Sequence, residues 1–446
     1  MTRLPPGPRG HLLVGSLPEF ARDVLGFHER CRDEYGDIVR LQLGNRMIYL
    51  LNHPDLIHTV LVSQHRDFIK HSFFWRHVRA IFGTGLLTNE GDSWLRQRRL
   101  TAPAFHRERI AGYAQTMVAY TERMLDGWTH GSAKNLHQEM MAVTLEIVAK
   151  VLFDADVKSE VRAVGRAFDA VTDEIAARFR RPFFIPDWVP LPGNIRYTRG
   201  VRALDAVVYR IIREHRANGA AGADLLSMLM QARDEDGGQM TDQQLRDEAI
   251  TLLLAGHETT ALVLSWTWFL LFQTPDVEAA LHNELDGVLG ARAPGPADLP
   301  ALKYTEHVIQ ESMRLYPPAY GIGREAVRDC ELGGYHVPRG TTLFMSSWVL
   351  QRDARWFEDP LAFRPSRWAD GLADRLPRHV YMPFGGGPRI CIGNSFAMME
   401  AVLLLATVAR RFRIEGVPDQ RITPFPTITL RPRDGVWARV YRRAPR

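Results

Sequence analysis

Lysine is scarce in this chain of 446 residues: only Lys70, Lys134, Lys150, Lys158 and Lys303 occur, so almost all of the positive charge, in a chain of net charge +5, is arginine. Those arginines are scattered and form no basic tail, which argues against a nucleic-acid-binding surface. Such an arginine bias reads as the coding preference of a GC-rich genome. Cysteine is scarcer still. Cys31, Cys330 and Cys391 are odd in number, far apart and without a CxxC pair. That excludes a disulfide framework and a cysteine-rich zinc site, and it favours a reducing compartment, the cytoplasm. No run of about 20 uninterrupted apolar residues exists, so no membrane span is predicted. The opening MTRLPPGPRGHLLVG is too rich in proline for a signal peptide. Internal repeats are lacking, as are linkers that would separate domains.

What is present is an ordinary globular composition, 46% apolar and 24% charged. Residues 1 to about 70 alternate β-branched runs (DIVRLQL, MIYLLN) with turn residues and predict a small sheet region. From about 92 to 290 the apolar spacing is helical. The stretch RFRRPFFIPDWVPLPG (178–193) breaks it with prolines and aromatics, as a surface loop or a lid over an apolar cavity does. The longest helix should start at Thr241, capped with Gln244, and end before Thr274-Pro275. Short strands follow from about 320 to 345, then a helix after 393 and terminal strands. The expectation is a mainly α fold with a minor β region.

Four motifs carry chemistry. Within the long helix, LLLAGHETTALVL sets Gly256, His257, Glu258, Thr259 and Thr260 among apolar residues. Glycine costs about 1 kcal/mol inside a helix and an unpaired buried carboxylate costs more, so stability alone does not select this insertion. Thr259 should turn its hydroxyl to the carbonyl of Ala255, loosening the helix beside a groove into which Glu258 can relay protons. A polar strip facing a water pocket is the plainer reading. The second histidine of a zinc HExxH motif is missing. In ESMRLYPP, Glu311 and Arg314 form a helical ion pair by default, and FRPSRW offers Arg367 as a second guanidinium for the same carboxylate. Trp94 and Arg98 in DSWLRQRRL share a helix face and suit an anionic oxygen group, or merely a basic surface helix.

The most specific stretch is FGGGPRICIG, 384–393. Its glycines permit a tight turn and close approach of backbone to something flat. Cys391 stands just before an apolar helix, whose free N–H groups should favour the thiolate. A single thiolate without other protein ligands suits a soft metal centre such as haem iron.

FGGGPRICIG, AGHETT, ESMR with FRPSRW, and WLRQR occur in the order found in the cytochrome P-450 superfamily of haem-thiolate monooxygenases, and the resemblance covers essentially the whole chain. It implies one domain over 1–446, with haem b (iron protoporphyrin IX) between the long central helix and the cysteine-bearing turn, and a β-rich part made of about 1–70, 320–345 and the terminal strands. By resemblance Cys391 is the axial ligand and Phe384 the ring packed near it. Arg389, Trp94, Arg98 and Arg324 resemble the propionate contacts, and Ala255 and Gly256 form the groove. Glu258 and Thr259 match the acid–alcohol pair that supplies protons in oxygen activation, while Glu311, Arg314 and Arg367 match a structural triad. The pocket would be lined from 73–87, the 178–193 loop, Leu252, Ala255, 318–323 and PFPTITL, all mostly apolar, for a lipophilic substrate. HPDLIHTVLV and RQRRLTAPAFHRERIAGYA are similar to actinomycete oxygenases of terpenoid biosynthesis, whereas AGHETT is similar to fatty-acid hydroxylases. With PPGP near the start, a soluble bacterial type with no membrane anchor is expected. With no flavin or iron–sulfur domain after Arg446, O2 would be reduced through a separate ferredoxin and ferredoxin reductase, docked with help from Arg96 and Arg99. A non-catalytic haem protein that binds a hydrophobic ligand is the alternative of another class.

Overall fold

A computed structural model of the chain describes residues 3–443, except 71, 180, 182–184, 220, 221, 223 and 233–238. Part of the expected pocket lining at 178–193 thus lies outside the described residues, as do the side chains of residues 73, 74 and 76 in the 73–87 stretch.

The central helix spans Asp242–Gln273, with Thr241 and Gln244 closing a reciprocal capping box as the sequence predicts. At 1.5 Å per residue it runs about 48 Å. A helix that is apolar all round has to be buried all round. The helices Leu136–Phe153, Pro192–Ala217, Lys303–Leu315 and Asn394–Arg411 accordingly pack around it. Their side chains merge into one core with Leu252, Leu264 and Trp268 of the central helix. Near its far end Trp266 stacks on Tyr316, with centroids 4.3 Å apart, and donates its indole N–H to Leu430 O at 2.9 Å. By length and composition this helix alone among the described residues is apolar enough to cross a membrane, but 83% of its apolar window is buried inside the protein.

The β component is small, as expected. Ile38–Leu43 and Arg46–Leu51 form an antiparallel hairpin whose second strand runs parallel to Thr342–Met345; Ile322–Ala326 and Phe68–Ile69 complete a five-stranded sheet. The hairpin Cys330–Leu332/Tyr335–Val337 lies where CELGGYHVP predicts it. Trp437–Arg442 pairs with Phe412–Gly416 and with Ala133–Asn135. These last two strands are too short and too polar to show in the sequence pattern.

Glu311, Arg314 and Arg367 meet as expected. Arg314 grips Glu311 with Nε at 2.9 Å and a second nitrogen at 2.8 Å, and Arg367 Nε reaches the same carboxylate at 2.8 Å. Trp368 Nε1 (2.8 Å) and the Arg364 N–H (3.1 Å) fill its remaining lone pairs. Arg314 also donates to the carbonyls of Gln351, Pro360 and Ala362, so one buried cation gathers an irregular stretch that has no ladder to satisfy it.

Removing one partner from such a buried cluster leaves the other charges unpaired and costs about 3–5 kcal/mol. Glu311→Ala is expected to lose that much stability in denaturant titration; a loss within experimental error would show that the cluster is dispensable to the fold.

Candidate active site

The cysteine turn is shaped by what its glycines touch. Gly385 and Gly387 have φ of +76° and +65°, and a Cβ on Gly387 would fall 1.9 Å from Leu61 O, so no other residue fits there. A Cβ on Gly386 would meet the His379 ring at 2.8 Å. The turn closes through the Cys391 N–H, which donates to Phe384 O at 3.0 Å. The Asn394–Arg411 helix begins three residues beyond the cysteine. Cys391 has open surface although surrounding protein desolvates it.

That environment corrects one expectation. Burial pushes the Cys391 thiol up, and the Gly393 backbone and the Arg98 charge pull only partly the other way. The helix start does not by itself favour a thiolate, because desolvation outweighs its N–H groups. A cationic metal at the sulfur would reverse that balance.

In the central helix every residue from Leu245 through Trp268 is buried except Ala255, Gly256 and Thr259. This opening is where the AGHETT motif predicts a groove. The expected bond from Thr259 Oγ1 to Ala255 O is present at 2.9 Å. Thr251, Ser265 and Thr267 make the same bond one turn back, so the bond alone does not create the groove. The small side chains do. The turn and the groove are tied through the Asn394–Arg411 helix, on which the Glu400 carboxyl lies against Thr260.

Beside the cysteine lies an excess of positive charge. Arg324 is buried, and burial followed by the charge of Arg389 pulls it down to about 10. Arg389 lies 3.8 Å over the Trp94 ring, donates to Asn89 O at 2.8 Å and pairs with Glu90. Lys70, which sequence reasoning missed, donates to Leu87 O, and its backbone N–H donates to Glu90 at 2.8 Å. Burial, then Arg324 and Arg389, hold its amine well below the usual lysine range. Arg98 adds its charge next to Arg389 and Cys391. Among these groups Glu90 is the one carboxylate, so the cluster is cationic overall and suits a ligand with more than one acid group. Trp94, Arg98, Arg324 and Arg389 are thus brought together, with Lys70 and Glu90 as unforeseen members.

Glu258 is placed differently. Its carboxylate accepts from Thr429 Oγ1 at 2.8 Å and from Arg431 Nε at 2.7 Å, with another Arg431 nitrogen at 2.5 Å. Arg431 in turn holds Asp169 at 2.8 Å. Neighbouring residues on a helix point about 100° apart, so Thr259 opens to the groove while Glu258 engages the strand Leu430–Pro432. No spacing in the sequence links Glu258 to Arg431.

An open thiol on a glycine turn and an excess of cations for acid groups meet the requirements of a haem-thiolate enzyme. The chain belongs to the cytochrome P450 family: the description "Cytochrome P450" matches residues 5–437. It is 39% identical over 427 residues to cyclooctatin synthase of Streptomyces melanosporofaciens, covering 95% of this chain and 92% of that protein. It is 35% identical over 422 residues to pentalenene oxygenase of Streptomyces avermitilis (94% and 93%) and 36% identical over 386 residues to cyclooctat-9-en-7-ol 5-monooxygenase of S. melanosporofaciens (86% and 84%). Its fold matches the retinoic acid-bound cyanobacterial CYP120A1 with a TM-score of 0.88 at 24% identity, over 99% of this chain and 100% of the other. The chain is a cytochrome P450 monooxygenase with haem b as its cofactor.

Glu400 supplies a test of the groove's interior. It is fully buried, neither carboxyl oxygen has a hydrogen-bond partner of good geometry, and burial pushes it up to about 8. A carboxyl that holds its proton more tightly when folded contributes stability fully below its unfolded pKa near 4.5, and that contribution is lost as pH rises to about 8. Glu400→Gln cannot ionise, so its stability relative to wild type should climb by about 1 kcal/mol per pH unit through that window. Parallel stability curves for the two proteins would show that Glu400 is ionised in the fold.

Proposed function

We propose that the chain hydroxylates a C–H bond of a terpenoid or related lipophilic secondary metabolite, converting substrate, O2, two electrons and two protons into an alcohol and water. The observation that carries this reading is Cys391 on its glycine turn, open to a cleft beside the cationic cluster. The names of the relatives, two of them cyclooctatane and pentalenene oxygenating enzymes, support the substrate class. When bound, haem with a thiolate ligand supplies the activation of dioxygen.

The chain's own residues then have these tasks. Cys391 would supply the thiolate that holds the iron, with Phe384 beside it in the same turn. Trp94, Arg98, Arg324 and Arg389, joined by Lys70, bind the propionates. Ala255 and Gly256, the open positions of the central helix, would leave room for the group and its substrate. Thr259 holds a proton at Oγ1 in the groove. Glu258 passes protons toward it while Thr429 and Arg431 hold its Oε1. Electrons arrive from a separate ferredoxin and its reductase, with Arg96 and Arg99 contributing to docking, in the cytoplasm.

The test is to reduce the purified protein under carbon monoxide, look for the thiolate-type red-shifted band, and add ferredoxin, reductase, NADPH and terpene hydrocarbons or fatty acids. Terpenoids are expected to give the low-to-high spin shift and a hydroxylated product. Thr259→Ala should lower product formation by about a hundredfold while electrons continue to be consumed. Product persisting in Cys391→Ala would overturn the mechanism. A spin shift with fatty acids only would move the substrate to that class, and binding without product would mark a non-catalytic haem protein.

A further inference from the structure

Arg246, Asp247 and Glu248 stand consecutively and fully inside the protein on the central helix, about two to two and a half turns before the open groove, and none has a task in the reaction above. Three ionisable side chains in a row inside a helical core are costly unless each is partnered. Their partners turn out to be successive pieces of one segment. Arg246 donates to Ile81 O at 2.6 Å and Ala80 O at 3.4 Å. Asp247 accepts from the Thr84 N–H at 2.8 Å and from Thr84 Oγ1 at 3.2 Å. Glu248 accepts from the Leu86 N–H at 3.1 Å. The segment is fitted to this face. Gly83 has φ +52°, and a Cβ there would lie 2.1 Å from the Asp247 carboxylate, while one on Gly85 would lie 2.4 Å from both Asp247 O and Thr251 Oγ1.

The same segment continues into the cationic cluster. Leu87 O takes Lys70, and Asn89 O and the Glu90 carboxylate take Arg389. In the other direction Arg246 binds Asp205 on the Pro192–Ala217 helix through Nε at 2.7 Å. We propose that Arg246, Asp247 and Glu248 are positioning residues that latch the 80–90 segment to the central helix, thereby placing Leu87, Asn89 and Glu90 against Lys70 and Arg389 and coupling them to the Pro192–Ala217 helix, with Glu248 as the titrating point of the latch.

The charges around Glu248 set the direction. Oε1 has no partner, burial pushes the carboxyl up to about 7, the Leu86 N–H opposes that, and the neighbouring Asp247 adds to it. Arg246 does not relieve it, since its guanidinium is committed to Asp205, Asp247 and the two carbonyls. Residues 80–86, AIFGTGL, bring no ionisable side chain. As a neutral acid Glu248 still accepts from Leu86; as an anion it is a second buried negative charge beside Asp247. The folded pKa is raised, so the latch is firm at low pH and loosens as pH rises through about 7. Between pH 6 and 8 the ionised fraction of such a group grows roughly tenfold.

The experiment measures amide hydrogen exchange over 80–90 in the haem-loaded protein, corrected for intrinsic pH effects, together with the rate at which 4-phenylimidazole binds, read from its absorption change. Wild type should lose protection roughly tenfold from pH 6 to 8 and admit the probe correspondingly faster. Glu248→Gln, which keeps the acceptor but cannot ionise, should hold both quantities constant. Asp205→Asn should weaken protection of 80–90 at every pH although residue 205 is on another helix; it also tests the coupling if Glu248→Gln does not fold. Wild-type pH dependence retained in Glu248→Gln, or unchanged protection in Asp205→Asn, overturns the proposal.

Discussion

Lys70, Arg98, Arg324 and Arg389 converge around one carboxylate, Glu90, and mutual repulsion together with desolvation makes that arrangement unfavourable for the polypeptide on its own. The rest of the site is arranged to bear it. The turn 384–393 brings Arg389 to the cluster and Cys391 to the cleft in the same stroke, two residues apart. The Trp94 ring under Arg389 offsets part of the charge through its π face, and the carbonyls of Leu87 and Asn89 take N–H donors that carboxylates would otherwise take. A ligand with two acid groups bound among these cations would remove the repulsion, so its binding and the folding of this region should be linked.

Much of this was legible in the sequence because it is local. A capping box, a stop at Thr274-Pro275, a glycine turn before a cysteine and a Glu–Arg pair at helical spacing are each decided by residues within a few positions, and each stands where expected. The long-range partners were not legible. Arg431 reaches Glu258 from 173 positions away, and Lys70 meets Arg389 and Arg324 through the tertiary fold. The thiol of Cys391 shows the same limit in energetic form. Its local setting points to a thiolate, and burial, which depends on the whole chain, reverses the sign.

The central helix divides its polar residues by direction. Thr259 looks into the groove, and Glu258 looks to the strand that carries Arg431. Glu248 looks to the 80–90 segment, and Thr260 looks to Glu400. A helix that served only as a core would place leucines at all of these positions. Glu258, Glu248 and Thr260 instead each anchor a different element to the same rigid rod, so those elements share one reference frame.

That shared frame bears on Glu258. Its ion pair with Arg431 extends to Asp169 on the Val161–Phe179 helix, and that helix packs on Pro192–Ala217, which also carries Asp205, the partner of Arg246. Two guanidiniums, Arg431 and Arg246, therefore connect carboxylates of the central helix to the same pair of covering helices, one near the groove and one further toward the helix start. A displacement of those two helices would draw on both contacts together, since neither Asp169 nor Asp205 can move far without leaving its arginine. Shifting Glu258 and loosening the 80–90 segment would then be two consequences of one motion, because the packed helices transmit displacement as rigid bodies.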